Sequence, residues 1–369
     1  MSRKQLTVLH IGDDIVYNPD YYKQFALKFN VIQPRAQDRE RASFIAALKE
    51  GRWGDFHAVF RPFWNSGGEM GKWDQELVPH LPSTCRIFAS AGAGYDWADI
   101  PTLSRHGTRP RDILQGVDLE LTLKNPGITY CNGARASSEA VADMAIWHIL
   151  SVFRNLMWSA EAAKSGDVEQ WKSAHKHQQD TAYNPRGRSL GIIGLGNIGY
   201  TIAQKAWLGF GMRILYHDVV RKPEEHEGAV KATFYEHLGD MLAEADCTVL
   251  ATPFLGEKVI TAERLAQFKK GSRFVNIARG TLVDENALVD ALKSGHVFAA
   301  GLDVHENEPF VHADFCKMRN VSLTCHNAGG AWDTAAGFEK LAMENIEAFF
   351  FNGGALTPVN AHLVDARVE

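Results

Sequence analysis

The chain has 369 residues, 45% hydrophobic and 22% charged, a size and balance that suit a globular protein of two domains. A formal net charge of −5 supplies no broad basic field for nucleic acid or an anionic membrane, so a small-molecule partner is expected. There is no run of 18 apolar residues to span a membrane, and the apolar stretch of MSRKQLTVLHIGDD is too short for a secretory signal. The five cysteines are scattered and form no Cys-x-x-Cys pair. A reducing, cytoplasmic setting without disulfide or metal is expected, with Cys85, Cys247 and Cys325 reading as small buried hydrophobes.

Residues 5–11, LTVLHIG, read as a strand, RASFIAALKEG as a helix, and FHAVF and CRIFASAG as two more strands. Alternating β and α predict a parallel, doubly wound sheet over the first hundred residues. Gly107 to Gly127, with mixed charge and no sustained period, reads as a long loop or small insertion. From Ser137 the sequence SSEAVADMAIWHILSVFRN predicts a helix of about 18 residues, apolar on several sides. Its opening serines and Glu139 supply capping chemistry. Such a helix belongs at a domain junction or subunit interface, with Trp147 and Phe153 as candidate contacts. The polar tract that follows it reads as loop.

Residues 189–199, SLGIIGLGNIG, run an apolar strand into a glycine turn and then a helix. Gly194 permits the tight turn, Gly196 lets a backbone approach a pyrophosphate, and Gly199 lets the helix pack against the strand. Asn197 and Ile198 complete the motif, and the helical stretch YTIAQKAWLGFG follows, its N-terminus attracting an anion. The next strand, MRILYHD, ends at Asp218, 19 residues beyond Gly199. That is the offset of a carboxylate for the ribose hydroxyls of NAD, and it repels a 2′-phosphate. Arg221 and Lys222 follow closely and keep NADP open as the less favoured cofactor.

Further strands, CTVLATP, SRFVNIARG, FAAGLDVHENEP and VSLTC, alternate with helices. Their C-terminal ends carry Thr252, Arg279, Asp303, Glu308 and His326, on the edge where open α/β sheets bind ligands. FVNIARGTLVDENALVDALKSGHVFAAGLDVHENEP and LTCHNAGG, in this order after the glycine motif, closely resemble the D-isomer-specific 2-hydroxyacid dehydrogenase family. Within it, ASAGAGYDWADI, LSVFRN and NPRG look most like the D-mandelate dehydrogenases and related fungal enzymes.

This resemblance implies the D stereochemistry and a set of roles. Arg279 binds the substrate carboxylate and carbonyl, for which a planar charged fork is suited. His326 donates the proton to the ketone oxygen and takes it back in the reverse direction, a task suited to a side chain that titrates near neutrality. Glu308 orients His326 and stabilises its imidazolium. Asp303 falls to the nicotinamide carboxamide, and Thr252, Pro253, Ala278 and Gly329 to the walls of the cofactor site. In the first domain, Ala93 and Gly94 of ASAGAGYDW offer backbone amides to the substrate carboxylate. Phe63 and Trp64, beside Arg61 in FRPFWNSGG, line the substrate pocket and hint at an apolar side chain on the substrate.

The expected fold is two doubly wound parallel-sheet domains. A flavodoxin-like substrate domain takes residues 1–131 and 332–369, and a Rossmann NAD-binding domain takes 132–331. Two departures from the family pattern stand out: the 107–127 segment is longer, and Cys325 replaces the proline that usually precedes the histidine. The expected activity is NAD-dependent interconversion of a 2-oxo and a 2-hydroxy acid with a bulky or aromatic side chain, by a homodimer joined through the NAD domain. Glyoxylate or hydroxypyruvate reduction is the alternative within the class; formate oxidation is disfavoured, since formate enzymes place glutamine where Glu308 stands. A non-enzymatic, NAD-sensing protein similar to the corepressors built on this fold is the alternative outside it.

Overall fold

The computed structural model describes residues 5–63, 66–107, 127–254 and 256–364. The chain forms two compact units, Met1–Ser137 with Ala331–Glu369, and Ser138–Gly330. Each is built on one parallel sheet. No helix among the described residues is long and apolar enough to cross a membrane.

The first unit contains strands β1 (Thr7–His10), β2 (Asn30–Ile32), β3 (Ala58–Arg61), β4 (Ile87–Ser90) and β5 (Thr129–Cys131), in the order β2-β1-β3-β4-β5. This is the flavodoxin-like order. Alternate residues serve two separate cores, as the two-residue period of a strand requires. Val8, Ala58, Phe60, Ile87 and Ala89 pack with Phe25 and Phe29 on one face. Leu9, Val59, Phe88 and Tyr130 pack with Phe44 and Leu48 on the other. β2 and β5 are only three residues long and went unrecognised in the sequence because neither shows a sustained alternation.

The C-terminal segment belongs to this unit for identifiable reasons. Met343 and Ile346, on the Trp332–Phe351 helix, join the Phe25 core. Glu339, 3% exposed, accepts hydrogen bonds from the amides of Val16, Tyr17 and Asn18 at 2.8–2.9 Å. Asn360, fully buried, accepts from the Tyr130 amide and donates to the Ile128 carbonyl, capping the edge strand.

The second unit contains β6 (Ser189–Ile193), β7 (Arg213–His217), β8 (Thr233–Phe234), β9 (Cys247–Leu250), β10 (Ser272–Asn276), β11 (Val297–Leu302) and β12 (Val321–Leu323). Their order is β12-β11-β10-β9-β6-β7-β8, a Rossmann order with one further strand. Strands β6, β9 and β10 are buried throughout, as a parallel sheet covered on both faces demands.

Three sequence expectations need correction. The long helix runs from Ala134 to Arg154 rather than from Ser137; Ser137 and Ser138 are buried within its first turns, and the Asn132 side chain accepts from the Ala134 amide instead. Phe153 is no interface residue: it is fully buried, with the Arg273 guanidinium 4.4 Å from its ring centre. The polar tract holds a ten-residue helix, Val168–His177, capped by Asp167, whose carboxylate accepts from the amides of Glu169 and Gln170. In addition, Cys325 is exposed, while Cys85 and Cys247 are buried. Most of the 107–127 segment lies outside the described residues.

Candidate active site

One row of paired residues crosses the second sheet near its carboxyl edge: Leu323, Leu302, Asn276, Leu250, Ile193 and His217. The strands leave the sheet almost flush. Residues immediately beyond this row therefore come together, although they lie far apart in sequence. Gly194, Asp218, Thr252, Arg279, Asp303 and His326 all follow it within three residues. Adjacent strands stand roughly 4.8 Å apart, which is the scale of contact between side chains on neighbouring ends.

At the β6 end the design depends on missing side chains. Gly194 has φ +93° and faces the next strand end, where a Cβ would meet the Ala251 carbonyl oxygen at 3.0 Å. A Cβ on Gly199 would overlap the Gly194 carbonyl oxygen, so only glycine lets the Asn197–Phe210 helix sit this close to β6. Gly196 differs: a Cβ there meets nothing within 4 Å. The turn therefore presents open backbone at the start of a 14-residue helix, a cradle that fits a pyrophosphate. Asn197 is exposed and Ile198 half-buried at its rim.

Asp218, just past β7, accepts from the Leu195 amide at 2.9 Å with Oδ2 and pairs through the same oxygen with Lys222 at 2.9 Å. Arg221 is taken up by Glu227, through bonds of 2.9 and 2.8 Å. Of the two basic residues that kept NADP open, Lys222 alone reaches this carboxylate.

At the β10–β12 end the design depends on side chains. Arg279 follows β10, half-buried, with Nη1 donating to the Ala278 carbonyl and its own carbonyl accepting from Asn276. A Cβ at Gly280 would overlap the His305 carbonyl, so glycine lets the loops after β10 and β11 touch. Glu308 sits on the second of these loops. One of its oxygens accepts from the His305 amide at 3.0 Å and the other meets His326 Nδ1 at 2.8 Å. Burial alone raises the Glu308 pKa, but the hydrogen bonds from His326 and the His305 amide outweigh it and hold the carboxyl below the usual range. The two side chains keep 40% and 36% of their surfaces exposed, so the imidazole edge opposite Glu308 can meet a small molecule. Such a pair holds a proton donor oriented by an anion, the arrangement of general acid–base catalysis.

His326 adopts φ +50°, left-handed for a residue with a Cβ. Asp303, 1% exposed, holds it there. Its backbone carbonyl accepts from the His326 amide at 2.7 Å, and its carboxylate oxygens accept from the amides of Asn327 at 3.1 Å and Ala328 at 3.0 Å.

Profile comparison matches residues 146–328 to the D-isomer specific 2-hydroxyacid dehydrogenase, NAD binding domain. A glyoxylate reductase of Pyrococcus horikoshii is 36% identical over 296 residues, covering 80% of this chain and 81% of that protein. The chain belongs to the D-isomer-specific 2-hydroxyacid dehydrogenase family. It is an NAD-binding oxidoreductase acting on the CH–OH group of 2-hydroxy acids. A 4-methyl-2-oxopentanoate reductase of Aspergillus oryzae is 32% identical, covering 86% of this chain and 88% of that one. Among solved structures, the holo form of Rhodotorula graminis D-mandelate dehydrogenase has a TM-score of 0.85 and 37% identity, covering 96% of this chain and 97% of its own.

In this dehydrogenase, the remaining expected residues fall as follows. Thr252 is half-buried with its Cα beside the Gly194 turn, Pro253 is exposed, Ala278 is buried and Gly329 half-buried. Asp303 has both carboxylate oxygens engaged by the His326 turn, an arrangement its sequence position did not suggest. In the first unit, Ala93 and Gly94 are half-buried in the loop after β4, where Gly92 has φ +86° and the Ala93 carbonyl accepts from Asn132. Phe63 is half-buried, and Trp64 lies outside the described residues. Arg61 is buried, its guanidinium donating to the Gly67 carbonyl and Ser90 hydroxyl and lying 4.7 Å from the Trp97 ring centre. Burial lowers its pKa. Sequence reasoning missed His148 as a contributor to this edge, and it named Lys222 without foreseeing the ion pair that its i,i+4 spacing makes with Asp218.

Proposed function

We propose that the chain reduces 2-oxo acids bearing a bulky or aromatic side chain to D-2-hydroxy acids with NADH, and catalyses the reverse oxidation. The observation that carries the chemistry is the His326–Glu308 pair, at 2.8 Å, on the sheet edge that also presents Arg279. In this reading Gly194, Gly196, Asn197, Ile198, Gly199, Asp218, Thr252, Pro253, Ala278, Asp303 and Gly329 hold the cofactor. Arg279 binds the substrate carboxylate with its fork and leaves the ketone oxygen facing His326. His326 passes a proton to that oxygen, and Glu308 keeps the imidazole oriented and favours its charged form. NADH, when bound, supplies the hydride for C2.

The side-chain preference is supported by the likeness to a D-mandelate dehydrogenase over 96% of the chain, and by the name of the Aspergillus relative, whose substrate is branched. A second reading, glyoxylate or hydroxypyruvate reduction, is favoured by the 36% identity to a glyoxylate reductase. Steady-state rates with phenylglyoxylate, 4-methyl-2-oxopentanoate, glyoxylate and hydroxypyruvate separate them. The first reading expects kcat/KM at least tenfold higher for the first two. A preference for glyoxylate overturns it, and no turnover with any leaves a non-enzymatic NAD sensor.

We further propose a homodimer through the second unit, centred on the apolar surface of Val168, Trp171 and Tyr183, which are 62%, 53% and 49% exposed. Light scattering tests it: Trp171→Glu is expected to halve the particle mass, and a wild type of monomer mass rejects the dimer.

A further inference from the structure

His148 is fully buried on the Ala134–Arg154 helix, and it touches nothing that binds or reacts in the scheme above. Its ring nitrogens are both engaged: Nδ1 with the Ser322 hydroxyl at 2.8 Å and Nε2 with the Thr324 hydroxyl at 3.0 Å. Thr324 in turn donates to Asp303 Oδ1 at 2.6 Å. The direction of every bond in this chain is determined. An ionised carboxylate only accepts, so the single Thr324 proton is spent on Asp303. Thr324 Oγ1 must then accept from His148, which places the ring proton on Nε2. Nδ1 is therefore bare and accepts from Ser322.

The chain ends at the proton donor. Asp303 engages three consecutive amides, those of His326, Asn327 and Ala328, and so holds the left-handed backbone from which the His326 side chain projects. A Cβ on Gly301 of β11 would stand 2.8 Å from the His148 Cβ, so the imidazole is seated against a strand position that has no side chain to displace it. The ionisable groups that act on it are Asp303 and His305. Burial dominates over both and lowers its pKa to about 4, which keeps the ring neutral at physiological pH.

We infer that His148 is a positioning residue for the reaction, acting through Thr324 and Asp303 to set the turn that aims His326. The inference rests on the reading of His326 as proton donor. A misplacement of about 1 Å at a reacting group costs on the order of 100-fold, so loss of this relay is visible in turnover.

The test compares Thr324→Val, His148→Phe and the conservative Thr324→Ser, with His326→Ala as reference. Thr324→Val and His148→Phe are expected to lower kcat at least tenfold, leave NADH affinity within about twofold, and shift the alkaline limb of the pH profile. Thr324→Ser, which keeps the hydroxyl, is expected to recover most of the rate. In the wild type, ¹⁵N spectra of labelled histidine, with the His148 signal assigned by its loss in His148→Phe, are expected to show the Nε2–H tautomer with no titration between about pH 5.5 and 8. This measurement stands even if Thr324→Val fails to fold. A wild-type pH profile and kcat in folded Thr324→Val, or an Nδ1–H tautomer, overturns the relay. Full turnover in His326→Ala instead overturns the underlying reading, so the two failures are distinguishable.

Discussion

The two ends of the second sheet build a site in opposite ways. Beyond β6, the design rests on side chains that are absent: Gly199 makes room for the helix and Gly196 leaves open space beside the backbone. Beyond β10, β11 and β12 it resides in side chains fixed by other side chains, with His326 held by Glu308 and its turn by Asp303. A backbone cradle is specified by one contiguous stretch. A proton-transfer constellation needs three strands in register and buried support beneath them.

The largest effect that sharpens this contrast is at the glycines. Gly199→Val is expected to abolish the folded second unit, because its Cβ overlaps a backbone oxygen. Gly196→Val is expected to keep the melting temperature within a few degrees, while calorimetric NADH affinity falls at least tenfold. Equal loss of stability in both would break the distinction between packing and cradle.

At the other end, Arg279→Lys keeps the charge and loses the fork. Charged hydrogen bonds are worth about 1.5–3 kcal/mol, so KM for the 2-oxo acid is expected to rise roughly 10- to 100-fold with NADH affinity unchanged. An unaltered KM would remove Arg279 from substrate binding. Glu308→Gln is smaller: the side chain keeps its size but loses the anion that orients the imidazole, so kcat for ketone reduction is expected to fall several-fold with NADH affinity unchanged. An unaltered kcat would reduce Glu308 to a structural residue.

Cofactor choice is smaller still. Asp218→Ser is expected to lower kcat/KM for NADH several-fold and raise it for NADPH, helped by the ammonium of Lys222 at this position. An unchanged ratio would show that the carboxylate serves only the Leu195 amide.

A separate contrast concerns acid stability and compares one buried histidine from each unit. His10 in the first and His148 in the second are both buried, with pKa values lowered to about 4 by burial. The unfolded chain binds these protons near pH 6.5 and the folded chain does not. Between about pH 6.5 and 4 the unfolded state therefore carries more protons, and stability falls as pH drops through that window. Each pKa unit of separation is worth about 1.4 kcal/mol. Urea unfolding of wild type and His148→Phe at pH 7.5 and 5 should show a shallower loss in the variant.

Legibility in the sequence follows the same division. The strand, glycine turn and helix, and the position of Asp218 just past the next strand, were readable from spacing, because they form one local stretch. Arg279, Glu308 and His326 could be named together only through family resemblance, since nothing local says that residues 279 and 326 share an edge; sheet register does. His148 was out of reach because its partner Thr324 lies 176 positions away and an apolar helix hides a buried histidine well. The errors were local. Two serines that looked like caps are core residues, and a helix with a thin apolar stripe, Val168–His177, passed for a loop.

The central claim is that His326 supplies the proton at a preformed edge. Its most direct test is single-turnover oxidation of enzyme-bound NADH by phenylglyoxylate in His326→Ala. The account expects NADH binding as in wild type and a rate reduced by roughly 100- to 10,000-fold at every pH. A rate within about threefold of wild type would contradict it.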